Sequence, residues 1–270
     1  MTRPFLAGAA LAVALVVPSA GVSAQEKQPA LAPAAAPDLK TFLFRASDAI
    51  GILRGLRQED ALTTLEFWAR GTMTADGKTY RVESYRGSLR FHAVPAMRAD
   101  ITRVGPDGKT ERVIEAVAGS FAWNESEPGL NGVAAPAANP ARMLFVRTLP
   151  PGFLKGARAA GDKVQIRRDG AATVVTYPVA EVAGAEITAT LNEKNLIERV
   201  QTKLGNETIE TTFRNYADWN AKDYKADIWF PGHIVQTRQG STILDLTVSK
   251  TNTYNPYVVV PVPAGVGKTQ

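Results

Sequence analysis

The hydrophobic period of the chain switches near residue 60, and the switch separates a first helix from a run of strands. Leu39, Phe42, Leu43, Ala46, Ala49, Ile50 and Leu53 recur every few residues, the spacing of an amphipathic helix. Asp38 is placed to cap its start and Gly55 to stop it. From Leu62 to Thr74 the period is two: Leu65, Phe67, Ala69 and Met73 face one way, while Glu66, Trp68 and Arg70 face the other. Asp76-Gly77 is a hairpin signal. Strands are then expected at Thr79–Arg86, around Leu89, Phe91 and Ala93, and at Met97–Val104, Thr110–Ala118 and Phe121–Asn124. Short alternating runs between turn signals predict an antiparallel meander.

Residues 125–139 (ESEPGLNGVAAPAAN) interrupt the alternation. A short helix is expected over Pro140–Val146, with Asn139 as its cap and Pro140 in its first turn. Leu149-Pro150-Pro151-Gly152 is read as its end. A second meander follows over Lys163–Arg168, Ala172–Pro178, Glu186–Leu191, Leu196–Leu204, Glu207–Tyr216, Asp227–Phe230, His233–Arg238 and Thr242–Asn252. With no βαβ alternation, a parallel sheet is not expected. The fold class is mainly β (α+β): a half-open antiparallel β-barrel of about a dozen strands wrapped around a few short helices. The domain is expected over 38–260, with 261–270 as a proline-bearing tail along its edge.

The N-terminus adds a destination. Arg3, the apolar run Phe5–Val17 and the small residues Val22-Ser23-Ala24 have the pattern of a cleavable export signal. The run is too short to span a bilayer, which takes about 20 residues. Cleavage is expected after Ala24, with residues 25–37 as an Ala/Pro-rich linker. The mature protein is then expected in a periplasm, with no integral membrane segment. The absence of cysteine excludes disulfides and an acylated cysteine after the signal. The net charge of +5 is scattered rather than clustered, so nucleic-acid binding is not expected.

Chemistry is sparse. The two histidines, His92 and His233, have no metal-ligand spacing, so neither metal nor cofactor is expected. No G-x-S-x-G elbow occurs. Gly265-Val266-Gly267-Lys268-Thr269 ends like a phosphate loop, but its first glycine would fall on Val262. Glu125 and Glu127 beside Trp123 read as a solvated loop rather than a sugar site. The sequence therefore predicts a protein that is not an enzyme.

The element order of helix, meander, Gly/Pro loop with short helix, and second meander resembles the periplasmic lipoprotein carriers LolA and LolB. A more local pattern joins it: Phe213-Arg214-Asn215-Tyr216, then Ile228-Trp229-Phe230-Pro231-Gly232-His233-Ile234-Val235-Gln236, then Leu244-Asp245-Leu246-Thr247-Val248. This is similar to periplasmic domains of the same shape, some of which precede a metallo-β-lactamase-type hydrolase domain. No H-x-H-x-D-H zinc motif is present here. The resemblance implies a concave face that shelters a lipid, acyl chain or other apolar ligand. The candidate wall is Leu65, Phe67, Tyr80, Val82, Phe91 and Ile101, with Met143, Leu144 and Phe145 as a lid. The alternative is a docking module for a periplasmic protein partner, using a sheet edge or the tail.

Overall fold

The computed structural model describes residues 35–220 and 228–267. The expected export signal, linker residues 25–34, Asp227 and residues 268–270 lie outside the described residues. The elements run as follows. Helix α1 (Leu39–Ala49) precedes a small hairpin, β1 (Leu53–Arg54) and β2 (Glu59–Asp60). The first meander is β3 (Thr64–Ala75), β4 (Lys78–Arg90), β5 (Ala96–Val104), β6 (Thr110–Ala118), β7 (Phe121–Glu125) and β8 (Val133–Ala134). Helices α2 (Asn139–Thr148) and α3 (Pro150–Ala160) follow. The second meander is β9 (Gln165–Asp169), β10 (Ala172–Pro178), β11 (Ala185–Leu191), β12 (Ile197–Leu204), β13 (Glu207–Asp218), β14 (Trp229–Arg238) and β15 (Ser241–Thr253). A last turn of helix, α4, covers Ala264–Gly267.

Both meanders join one 13-stranded antiparallel sheet in the order β8-β7-β6-β5-β4-β3-β15-β14-β13-β12-β11-β10-β9. The seam is β3 against β15, with Leu65 opposite Thr253 and Met73 opposite Leu244. The first and last strands of the two meanders thus meet in the centre, and β8 and β9 form the free edges. Helix α2 packs against β5, β6 and β7 from one wing and β12 from the other. Only a sheet curled around the helix can make both contacts. The half-open barrel around short helices is therefore the architecture of the chain.

Opposed residues of an antiparallel pair share a face. Leu65, Phe67 and Ala69 on β3 lie opposite Leu89, Gly87 and Tyr85 on β4, and those lie opposite Met97, Ala99 and Ile101 on β5. All of these except Gly87 belong to the main core. Phe67 stacks on Tyr85 with ring centroids 5.4 Å apart. A Cβ on Gly87 would come within 2.3 Å of the Phe67 ring, so only glycine leaves room for that ring.

Several sequence expectations are corrected. Helix α1 does begin at Asp38, whose carboxylate accepts from the Thr41 amide at 2.8 Å. It ends at Ala49, however, and Gly55 lies in the β1–β2 turn. The strands expected at Thr79–Arg86 and around Leu89 are one strand, β4. Its pairing with β5 slips between Val82 and Ser84, which moves the inward positions from even to odd numbers and imitates a break. Phe91, His92 and Ala93 lie in the turn that follows.

Asn139 does not cap α2: its side chain donates to the Gly119 carbonyl at 2.9 Å. Pro150 and Pro151 do not end the helical region. They open α3, because the first turn of a helix needs no amide donor there. Likewise β14 runs unbroken through Pro231-Gly232.

The chain after β15 folds back over the outer face of the first wing. Val260 and Val266 join Ala96, Ala116, Ala118 and Trp123 in a second apolar cluster. Arg98 donates to the Val259 carbonyl at 3.1 Å and forms a two-pronged pair with Glu125 at 2.7 and 3.0 Å. Glu125 also accepts from the Trp123 indole at 2.7 Å, so it is a buried structural acid rather than part of a solvated loop.

Candidate functional site

The inner face does not fill completely. Between α2 and the two wings lies a cavity of about 270 Å³. Its walls come from both meanders: Met73, Tyr85, Met97 and Ile101 from the first, and Thr202, Ile209, Gln236 and Leu244 from the second. Ala141, Leu144, Phe145 and Thr148 of α2 form its roof. Thr74, Arg238 and Ile243 stand at the hairpin ends of β3, β14 and β15. At the other end of the sheet α1 packs on α3, and the Trp229 amide donates to the Ile50 carbonyl at 3.1 Å.

Two buried arginines hold α2 across the cavity. Arg142 donates to the carbonyls of Ala116 at 3.2 Å and Trp123 at 2.8 Å, and to the Asn124 side chain at 2.6 Å. It also lies 3.3 Å from Glu115. These partners all belong to β6 and β7. Arg147 pairs instead with Glu181, in the β10–β11 turn. Burial alone would raise the Glu181 carboxyl, but the Arg147 guanidinium holds it below the usual glutamate range. The helix is thus a crossbar tied by charge-assisted bonds to each wing.

Most polar groups around the cavity are satisfied within the protein. Gln236 donates to the Thr211 hydroxyl at 3.0 Å, and Thr148 to the Leu144 carbonyl at 2.8 Å. Thr74 reaches the Thr242 carbonyl at 3.4 Å and Thr202 the Ile209 carbonyl at 3.5 Å. Burial pushes the Tyr85 hydroxyl well above the usual tyrosine range, so it stays neutral. The space therefore offers mainly apolar contact.

The nine residues singled out from the sequence are divided by the structure. Ile101, Leu144 and Phe145 line the cavity. Leu65, Phe67 and Val82 lie on the same inner face but in closed core, and Met143 is fully buried. Phe91 sits in the β4–β5 turn, with the Lys155 ammonium 5.5 Å from its ring. Tyr80 lies under Arg103, whose guanidinium is 4.0 Å from the ring centroid. It lines a separate surface cleft with Lys78 and Pro106.

The whole contribution of the second wing escaped the sequence reading. Alternation marks Ile209 and Leu244 as inward, but only the β3–β15 seam brings them opposite Met73 and Ile101.

No protein-family model matches the chain, and no curated protein sequence matches it. Solved structures do overlap with it. A domain described as an outer membrane lipoprotein-sorting protein from Vibrio parahaemolyticus shares 8% identity. That overlap covers 81% of this chain and 94% of the other, with a TM-score of 0.45. A LolA superfamily protein from Nitrosomonas europaea shares 10% identity over 84% of this chain and 96% of its own, with a TM-score of 0.42. LprF from Mycobacterium bovis shares 14% over 86% and 98%, with a TM-score of 0.32. Overlaps this loose carry no residue's role across to this chain.

Proposed function

We propose that this protein is an exported, non-enzymatic binder of an apolar ligand, a lipid or acyl chain, held in the cavity beneath α2. One observation carries the reading: a pocket with mainly apolar walls, open to solvent at the hairpin ends of β3, β14 and β15, lies between α2 and both wings of the sheet, the concave, largely apolar kind of site that small ligands occupy. The gain on binding would come from removing hydrocarbon from water, about 0.8 kcal/mol per CH₂ group. The export signal expected at the N-terminus would place this activity in the periplasm. Among the described residues no helix is long and apolar enough to cross a membrane.

The test fills the space. Ala141 is exposed yet lines the cavity, so Ala141→Trp adds bulk there without touching the closed core. Uptake of a fluorescent fatty acid by the wild type, lost in Ala141→Trp at unchanged thermal stability, is the expected result. Equal uptake by both proteins would overturn the reading.

A second reading keeps a protein partner. Leu130 and Val133 are exposed beside the free edge at β8, and an unpaired strand edge is a template for another chain. A Val133→Lys variant should then weaken the association while leaving uptake intact. Pull-downs that recover the same periplasmic protein from wild type and variant would remove this reading.

A further inference from the structure

The polar groups of the cavity divide by whether they have partners. Inside, Arg142 is occupied by two carbonyls, Asn124 and Glu115, and Gln236 by Thr211. At the hairpin end Arg238 also lines the cavity. It is exposed and, among the described residues, has neither a hydrogen-bond nor an ion-pair partner for its guanidinium. Its backbone sits at the end of β14, opposite Ile209 and Ser241. An unpaired cation therefore stands where apolar walls give way to solvent.

The space is also small. Its 270 Å³ is close to the lower end of the range of about 300–1,000 Å³ usual for ligand pockets, which favours one chain over several.

We infer that the ligand is a single-chain amphiphile with an anionic head, its chain under α2 and its carboxylate or phosphate on Arg238. This rests on the cavity reading above. The interior Glu115–Arg142 pair already balances its own charge, so an anionic head gains nothing by moving inward and loses its water there.

The experiment is calorimetric titration of the full mature chain with four probes. Three are single-chain and used below their micelle concentrations: dodecanoate, dodecyl phosphate and the dodecanoyl glycerol monoester. The fourth is a vesicle of diacyl phosphatidylglycerol. Dodecanoate and dodecyl phosphate should bind about fivefold more tightly than the monoester, the upper end for a solvent-exposed ion pair. Arg238→Gln should abolish that difference. A preference for only one of the two anions would identify the head as carboxylate or phosphate.

Equal affinity for all three heads, a preference that survives Arg238→Gln, or ready uptake of the diacyl lipid would each overturn the inference while leaving the cavity reading standing. No binding of any probe would remove both.

Discussion

In the wing from β3 to β8 the inner face is covered, and so is the outer face around β5 to β7. Inside lie the core and α2. Outside, the returning chain lays Val260 and Val266 over alanines and Trp123. In the wing from β9 to β15 the inner face is covered in the same way, but the outer face carries Thr176, Thr188, Gln201, Arg199 and Glu210, and among the described residues no named element packs over it. The outward sequences explain the difference. Ala96, Ala116 and Ala118 are small enough to let a strap approach, whereas the polar positions of the other wing are already solvated. The first wing therefore takes part of its stability from residues far away in sequence, and the second mainly from its inner face and from Arg147 on α2.

The seam that both wings share is the place to break the molecule. Phe67 is fully buried and stacks between Tyr85 and Phe230, both at 5.4 Å. Truncation to alanine leaves a cavity that neither wing can close. The expected cost is about 3–5 kcal/mol, read by urea unfolding. A loss of less than 1 kcal/mol would show that the seam can repack.

Removing residues 256–270 should separate the wings. It exposes Trp123 and strips Val258, Val260 and Val266 from the sheet. The transfer term is partly offset by freeing the ordered tail, leaving a loss of about 2–4 kcal/mol. Because the cavity is on the opposite face, fatty-acid uptake at low temperature should be unchanged. Lost uptake in a stable truncated protein would mean that the tail serves the site.

Glu66 joins the strap to the seam. Its buried carboxylate accepts from Arg86 and Ser88 on β4, from Asn252 on β15 and from Asn255 in the strap. Burial alone would raise its pKa, but the bonds from Asn255, Arg86 and Asn252 outweigh it and hold the carboxyl below its ordinary value of 4.5. A lowered folded-state value means the stabilisation is complete above the unfolded-state pKa and fades as pH falls through the folded one. Glu66→Gln should therefore cost about 1.5–3 kcal/mol at neutral pH, and the gap to wild type should close in acid below about 4.5. Unfolding curves at neutral and acidic pH test this. A gap that stays constant would detach the stabilisation from the charge.

The alternation of Leu65, Phe67 and Ala69 against Glu66, Trp68 and Arg70 made the faces of β3 legible, and turn pairs such as Asp76-Gly77 marked the hairpins. What misled was local geometry with a tertiary cause. The register slip in β4 between Val82 and Ser84 imitates a break, and Pro150-Pro151 resembles a terminator but opens a helix. The cavity was only partly legible, because alternation says that Ile101 faces inward but not whether another side chain fills the space before it. That depends on the β3–β15 seam, which joins residues as far as 188 positions apart (Leu65 with Thr253). Arg142 and Arg147 gave no signal of burial, since their partners are backbone carbonyls and a turn acid contributed by other elements.

The smallest expected effect sharpens the contrast between the outer faces. Arg199 on β12 lies 3.7 Å from Glu210 on β13, with side chains 49% and 33% exposed. Arg98 on β5 lies 2.7 Å from Glu125, with side chains 15% and 1% exposed. Both are outward cross-strand pairs, but only the second is roofed by the strap. Solvent screens the first, and Glu210 keeps its bond from Gln201 at 2.9 Å without it, so Arg199→Ala should change stability by less than about 0.5 kcal/mol. Arg98→Ala would leave a buried carboxylate facing only the Trp123 indole and the Gly129 amide, and its cost should be several-fold larger. Equal losses in the two variants, measured by urea unfolding, would mean that the strap does not shield the first wing from water.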